Sequence, residues 1–201
     1  MKILIAEQDR DFSSAFSTLL GMEQHTVTTV YDGTQVITRL ETNHTFDIAV
    51  VDEALPRINA DKLLKPLFDR NIPVIVLTSE KLTASRLMDT ALANAYLTLP
   101  FLPSDLTGTI ERVMKRKNST DILRFEDVYI KLSEYMLCGS IPLTDGEIEL
   151  FADLISHKQV SGKHMEAYIS ALNSKLEKLN KNIRIKYLID EGYRMVKIQN
   201  E

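Results

Sequence analysis

Three short stretches place chemistry-bearing side chains at the ends of apolar runs. Glu7, Gln8 and Asp9 follow "KILIA", Asp52 ends "FDIAVV", and Thr78 and Ser79 end "PVIVLT". Acids, an amide and hydroxyls converging on one place could ligate a divalent cation, or let a carboxylate take up a reactive group. Either use requires Asp52 to sit at the mouth of a crevice. The same residue also reads as a polar side chain that simply opens a loop, and spacing alone leaves both readings standing. Other catalytic patterns are missing. His25, His44, His157 and His164 make no i,i+4 pair and no HExxH spacing, so a zinc hydrolase is not indicated. Cys138 is the single cysteine, which excludes an internal disulfide and a cysteine zinc cluster and fits a reducing compartment. Lying in an alternating segment without a histidine close in sequence, it reads as a core thiol. No enzyme is predicted.

The elements that would position these groups alternate along the first half of the chain. "KILIA", "HTVTTV", "FDIAVV", "PVIVLT" and "AYLTL" read as strands, several of them continuously apolar. Helical spacing occupies 12–20, 34–40, 60–68, 83–93 and 103–114; Leu63, Leu64 and Leu67 form one apolar stripe, flanked by Asp61, Lys62 and Lys65. Strands alternating with helices predict an α/β, doubly wound parallel five-stranded sheet with helices on both faces. In such a sheet ligands sit beyond the carboxyl ends of the strands, where the strand order reverses. Glu7, Asp52 and Thr78 would then share one edge.

Beyond the basic, polar "MKRKNSTD" the period changes. "LRFEDVYIKLSEYMLCGSIPLT" alternates like antiparallel strands, with Gly139-Ser140 as a hairpin turn. Thr144 with Glu147 three residues later forms a capping box ahead of the apolar face Ile148, Phe151, Leu154, Ile155. A longer helix is expected over about 162–179, and two closing strands flank Asp190-Glu191-Gly192. The reading is therefore a domain over 1–117, a linker over 118–121, and a small α+β domain over 122–201.

Composition agrees with a soluble globular protein: 201 residues, 44% hydrophobic and 26% charged, with a formal net charge of −4. No overall basic field points to nucleic acid, so any such attraction must be local. The apolar run at 3–6 is too short for a secretory core and no stretch is long enough to span a membrane, so a cytoplasmic location is expected.

"ILIAEQD", "VVDEALP", "VIVLTS" and "YLTLPF" together resemble the receiver domain of bacterial response regulators, the flavodoxin-like domain of two-component systems. The resemblance implies that Asp52 is the phosphoacceptor for a histidine kinase, Thr78 the hydroxyl that bonds the phosphoryl oxygens, Tyr96 the switch aromatic, and Glu7 the first of an acidic pair. Gln8 stands where the family has its second acid, and Asp9 is one position further on. Leu99 replaces the lysine that pairs with the phosphoryl group. A carboxylate receiving a phosphoryl group needs cations to offset the like charges. The expectation is no resident cofactor, with Mg2+ binding at Glu7, Gln8 and Asp52 weakened, and a receiver that does not depend on phosphorylation of Asp52. The family also implies a homodimer through its fourth helix, fifth strand and fifth helix, although Asn94 and Ala95 replace aspartates usual there while Arg112 remains. The alternative for that face is a solvated charged helix.

"IPLTDGEIELFADLISH", "EAYISALNSKLEKL" and "IRIKYLIDEGYRMV" resemble the winged-helix effector domain of OmpR/PhoB-type regulators, shortened between His157 and His164 where the family has a further helix. By position, the resemblance implies DNA contacts from Lys163, His164, Tyr168, Asn173, Ser174 and Lys175, with Lys178 and Lys186 adding to a basic face. Bases outnumber acids from Lys158 onward. Ile189, Asp190 and Glu191 oppose this reading, because an acidic tip repels phosphates. Two functions are carried forward: a transcriptional regulator that binds promoter DNA, and a degenerate regulator that acts as a protein-interaction module.

Overall fold

The computed structural model describes residues 1–42, 45–79, 92–156, 160, 165–179 and 181–198. Five runs too short for helices become β1 (Lys2–Ala6), β2 (Thr26–Val30), β3 (Ile48–Asp52), β4 (Val74–Thr78) and β5 (Ala95–Thr98). They pair only in parallel, in the order β2-β1-β3-β4-β5. The central strands β3 and β4 are covered on both faces, which explains their unbroken Ile/Val/Leu content. Burying each such side chain contributes about 1.5–3 kcal/mol, the main force holding this sheet.

The helices among these strands are α1 (Arg10–Met22), α2 (Gly33–Glu41), α3 (Ala60–Phe68) and α4 (Pro103–Lys117). Asp9 caps α1, its Oδ1 accepting the N–H groups of Asp11 at 2.9 Å and Phe12 at 3.1 Å. Asp32 caps α2 in the same way through the N–H of Gln35. Gly33 is needed for its size, because a Cβ there would lie 2.0 Å from the carbonyl oxygen of Ile58. That close approach seats the β3–α3 loop against α2. The helix expected over 83–93 lies almost entirely outside the described residues, so α4 is the helix counted fifth in the sequence.

Contacts divide the chain into two compact units, the first holding 1–79 and 92–115 and the second beginning at Arg116. The second opens with an antiparallel sheet, β6 (Ile122–Phe125), β7 (Val128–Lys131), β8 (Met136–Leu137) and β9 (Ile141–Pro142). Then come α5 (Asp145–Ile155), α6 (Met165–Lys178) and a hairpin of β10 (Ile183–Leu188) and β11 (Gly192–Lys197). Cys138 belongs to the β8–β9 turn at φ 50° and is half-buried, not in a strand as its sequence context suggested. Among the described residues no helix is long and apolar enough to cross a membrane.

Candidate functional site

Strand order reverses around β1, which has β2 on one side and β3 on the other. A crevice therefore opens beyond the carboxyl ends of β1 and β3. Glu7 follows the first strand and Asp52 ends the second, so the topology brings the two carboxylates to one edge. Glu7 is 6% exposed, and its Oε1 accepts the N–H of Asp9 at 2.9 Å. Burial pushes its carboxyl above the usual range, the charges of Asp52 and Asp9 push the same way, and the Asp9 N–H opposes them. Asp52 is half-buried and its Oδ1 accepts the N–H of Ala54 at 3.1 Å. Burial raises this carboxyl too, again opposed by a backbone N–H. The charge on Asp52 thus adds to the cost of ionising Glu7. Among the described residues no cation lowers either one.

The other positions explain why. Gln8 is exposed and brings a neutral amide. Asp9 spends its carboxylate on the α1 cap. Leu99 is 39% exposed and carries no donor beyond its backbone N–H, which goes to the Thr78 carbonyl oxygen at 2.8 Å. Thr78 ends β4 at 1% exposure, and its hydroxyl donates to the carboxylate of Glu53. Tyr96 is half-buried and packs against the main core. Glu53 was missed by sequence reasoning, since nothing in "VVDEALP" says which way the residue after Asp52 turns. As a donor set for a hard divalent cation the edge is poor: one buried acid, one half-buried acid and a neutral amide. Among the described residues no three histidines, cysteines or acids gather as they would around an ion.

The second unit changes the reading of α6. Lys163 and His164 lie outside the described residues. Lys175, expected at the DNA, is 1% exposed and faces inward, its Nζ 2.7 Å from Oε1 and 2.8 Å from Oε2 of the fully buried Glu147. The expected capping box is present: Glu147 accepts the Thr144 N–H at 2.8 Å, and Thr144 caps α5. Lys175 is thus the counter-ion of a helix cap. Burial lowers its pKa, and Glu147 opposes that shift. The spacing held a signal, because Lys175 lies three residues past Leu172 and seven past Tyr168, on the apolar stripe itself. Asn173 is also a correction. Its amide donates to the Ile185 carbonyl at 3.1 Å and accepts the Ile185 N–H at 2.8 Å, so it binds α6 to the edge of β10 and is not offered to a base. Tyr168 lays its ring beside Gly146, where an added Cβ would come within 2.5 Å of it. Ser174 is half-buried and its hydroxyl donates to the Ser170 carbonyl. The exposed positions of α6 are Glu166, Ser170, Glu177 and Lys178, two acids against one base.

Cations lie instead on the hairpin. Ile183 and Ile185 face the core, so alternation turns Arg184 and Lys186 to the outer face, and Lys186 stands directly opposite Arg194. Arg184 reaches Glu177 at 3.3 Å and Arg194 reaches Glu191 at 3.7 Å, which tempers both charges. Lys178 and Lys186 are exposed and, among the described residues, hold no ion pair. The tip is apolar and acidic, with Ile189 85% and Tyr187 67% exposed beside Asp190 and Glu191.

Comparison with known proteins fits this architecture. A family model, the response regulator receiver domain, matches residues 3–111. The chain is 26% identical to the "Transcriptional regulatory protein CpxR homolog" of Haemophilus influenzae, over 97% of this chain and 99% of that protein. It is 24% identical to the "Response regulator ArlR" of Staphylococcus aureus, over 93% and 88% respectively. Among solved structures, the receiver domain of the Francisella response regulator 1452 covers 58% of this chain and 98% of its own at 26% identity, with a TM-score of 0.53. The receiver domain of the sensor histidine kinase PA1611 from Pseudomonas aeruginosa, which holds a magnesium ion in its active-site cleft, covers 57% and 97% at 24% identity, with a TM-score of 0.50.

Proposed function

Because the chain belongs to the response regulator family, as an OmpR-type member with a flavodoxin-like receiver, we propose that it is a DNA-binding transcriptional regulator whose receiver works without phosphorylation of Asp52. The assignment of 1–117 to the receiver, 118–121 to a linker and 122–201 to a winged-helix domain is part of this reading. So are a cytoplasmic location and the absence of an enzymatic role. One observation carries the receiver half: Glu7 and Asp52 share an edge where, among the described residues, no cation lowers either carboxyl. A phosphoryl group would add further negative charge exactly where the protein lacks the means to offset it. Mg2+ would bind weakly there at best, since Gln8 supplies no charge.

The DNA half rests on the hairpin. Lys186 and Arg194 stand directly opposite on the strand pair, a placement that suits an anion on the outer face. Lys178, Lys186 and Arg194 are assigned to phosphate contacts, and Lys175 is withdrawn from them. A homodimer through β5 and α4 would use the exposed Glu111, Arg112 and Lys115. Asn94 and Ala95 offer little there, since Asn94 accepts the Val74 N–H at 2.8 Å and Ala95 is buried. A salt-titrated binding assay on promoter fragments tests the DNA half. Sequence-selective binding is expected, with Lys186→Glu weakening it and lowering the log–log salt slope by about 1. Absence of selective binding at low salt would reject it and favour the second reading, a protein-interaction module. That second reading is favoured by the exposed Ile189 and Tyr187 on an acidic tip.

A further inference from the structure

The Thr78 hydroxyl is already engaged. It is buried at the end of β4, and it donates to the Glu53 carboxylate at the end of β3. Backbone geometry holds the two residues in register: Asp52 pairs with Leu77, and the Glu53 N–H donates to the Leu77 carbonyl at 2.9 Å. Glu53 thus follows directly after Asp52 and lies beside Thr78. A hydroxyl has one proton to give. While Glu53 accepts it, an anion attached to Asp52 cannot.

We propose that Glu53 is a positioning residue that closes this pocket to a phosphoryl group, by holding the Thr78 hydroxyl as a resident anion in place of one on Asp52. The proposal rests on the phosphorylation-independent reading and deepens it: Gln8 weakens the site for a cation and Leu99 takes the place of a cation that would attract the anion, whereas Glu53 occupies a donor that would receive it. The reaction that exposes the effect is simple. An Asp52 carboxylate oxygen attacks the phosphorus of acetyl phosphate, the new O–P bond forms, and the bond from phosphorus to the acetyl oxygen breaks. Acetate leaves with the electron pair, and no other reactant is needed.

The test is intact-mass labelling of the full chain by acetyl phosphate with Mg2+, in the wild type and in L99K, E53A/L99K, E53Q/L99K and E53A/T78A/L99K. Labelling of E53A/L99K is expected to exceed that of L99K by about tenfold, the size of effect that one hydrogen bond to a charged group supplies. E53Q/L99K, which removes the charge but keeps an acceptor for the hydroxyl, is expected to gain less. Adding T78A is expected to return labelling to the L99K level. Equal labelling of L99K and E53A/L99K overturns the proposal. So does a gain as large in E53Q/L99K, or one that survives T78A, since either would make charge alone responsible. Strong labelling of the wild type would instead reject the phosphorylation-independent reading, and the ratio of E53A/L99K to L99K would still decide the role of Glu53.

Discussion

Each unit buries a carboxylate, and the two do so under opposite conditions. In the second, Glu147 is fully enclosed but meets Lys175, equally enclosed, and accepts the N–H of Thr144. In the first, Glu7 and Asp52 have backbone N–H groups and, among the described residues, no cation. The paired carboxylate is structural: it caps α5 and ties α6 to that cap. The unpaired ones lie at the crevice where the fold would place a site. A buried charge left without a partner is costly, and a fold keeps such a place only where it has, or once had, a use. The lesson is that a lysine's position in a sequence does not tell which anion it serves. The family expectation gave Lys175 to DNA and already marked Leu99 as standing where the family has a lysine, whereas the structure gives Lys175 to Glu147.

The largest effect comes from breaking the satisfied pair. Lys175→Met leaves Glu147 buried and alone, and is expected to cost about 3–5 kcal/mol in denaturant unfolding. The double variant Glu147→Gln with Lys175→Met is expected to recover most of that. A loss below about 1 kcal/mol for Lys175→Met would show that the two regions do not differ as described. Next is the cap. Asp9→Ala removes the acceptor for two N–H groups of α1, with an expected loss of about 1 kcal/mol.

The unpaired edge should respond with the opposite sign. Glu7 and Asp52 have folded pKa values raised above their ordinary values of 4.5 and 3.8. The folded state therefore holds these protons longer than the unfolded state, and their contribution to stability falls as pH rises from the ordinary carboxylate range through the raised values. Asp52→Asn is accordingly expected to stabilise the protein at neutral pH and to flatten that fall, as read from thermal midpoints across pH 4–8 (about the range where such carboxyls titrate). A destabilised Asp52→Asn would mean that a cation serves this edge after all. The smallest effect belongs to the hairpin. Lys186→Glu removes a like-charge pair with Arg194 and is expected to stabilise by about 0.2–1 kcal/mol while weakening DNA binding.

Much of this was legible in the sequence, and the losses have physical causes. The helix at 60–68 was read to its ends, because Leu63, Leu64 and Leu67 set its phase. The Thr144–Glu147 box was visible because both of its members lie within one turn. The turns at Glu126 (φ 53°) and Tyr135 (φ 54°) were hidden, since each puts a non-glycine residue in the left-handed region. Lys175 was misassigned because its position in the family resemblance was weighed before its helical phase. Glu53 was invisible, as its role depends on the register of β3 with β4, a non-local fact. The parallel-sheet reading placed Asp52 and Thr78 on one edge, where they end β3 and β4, but could not show what else had come to occupy it.

The most direct test of the central claim is the mass of the wild-type chain after incubation with acetyl phosphate and Mg2+, read alongside its sedimentation before and after. The account predicts no phosphoryl adduct on Asp52 and an unchanged oligomeric state. A stable adduct on Asp52 accompanied by a change in assembly would contradict it.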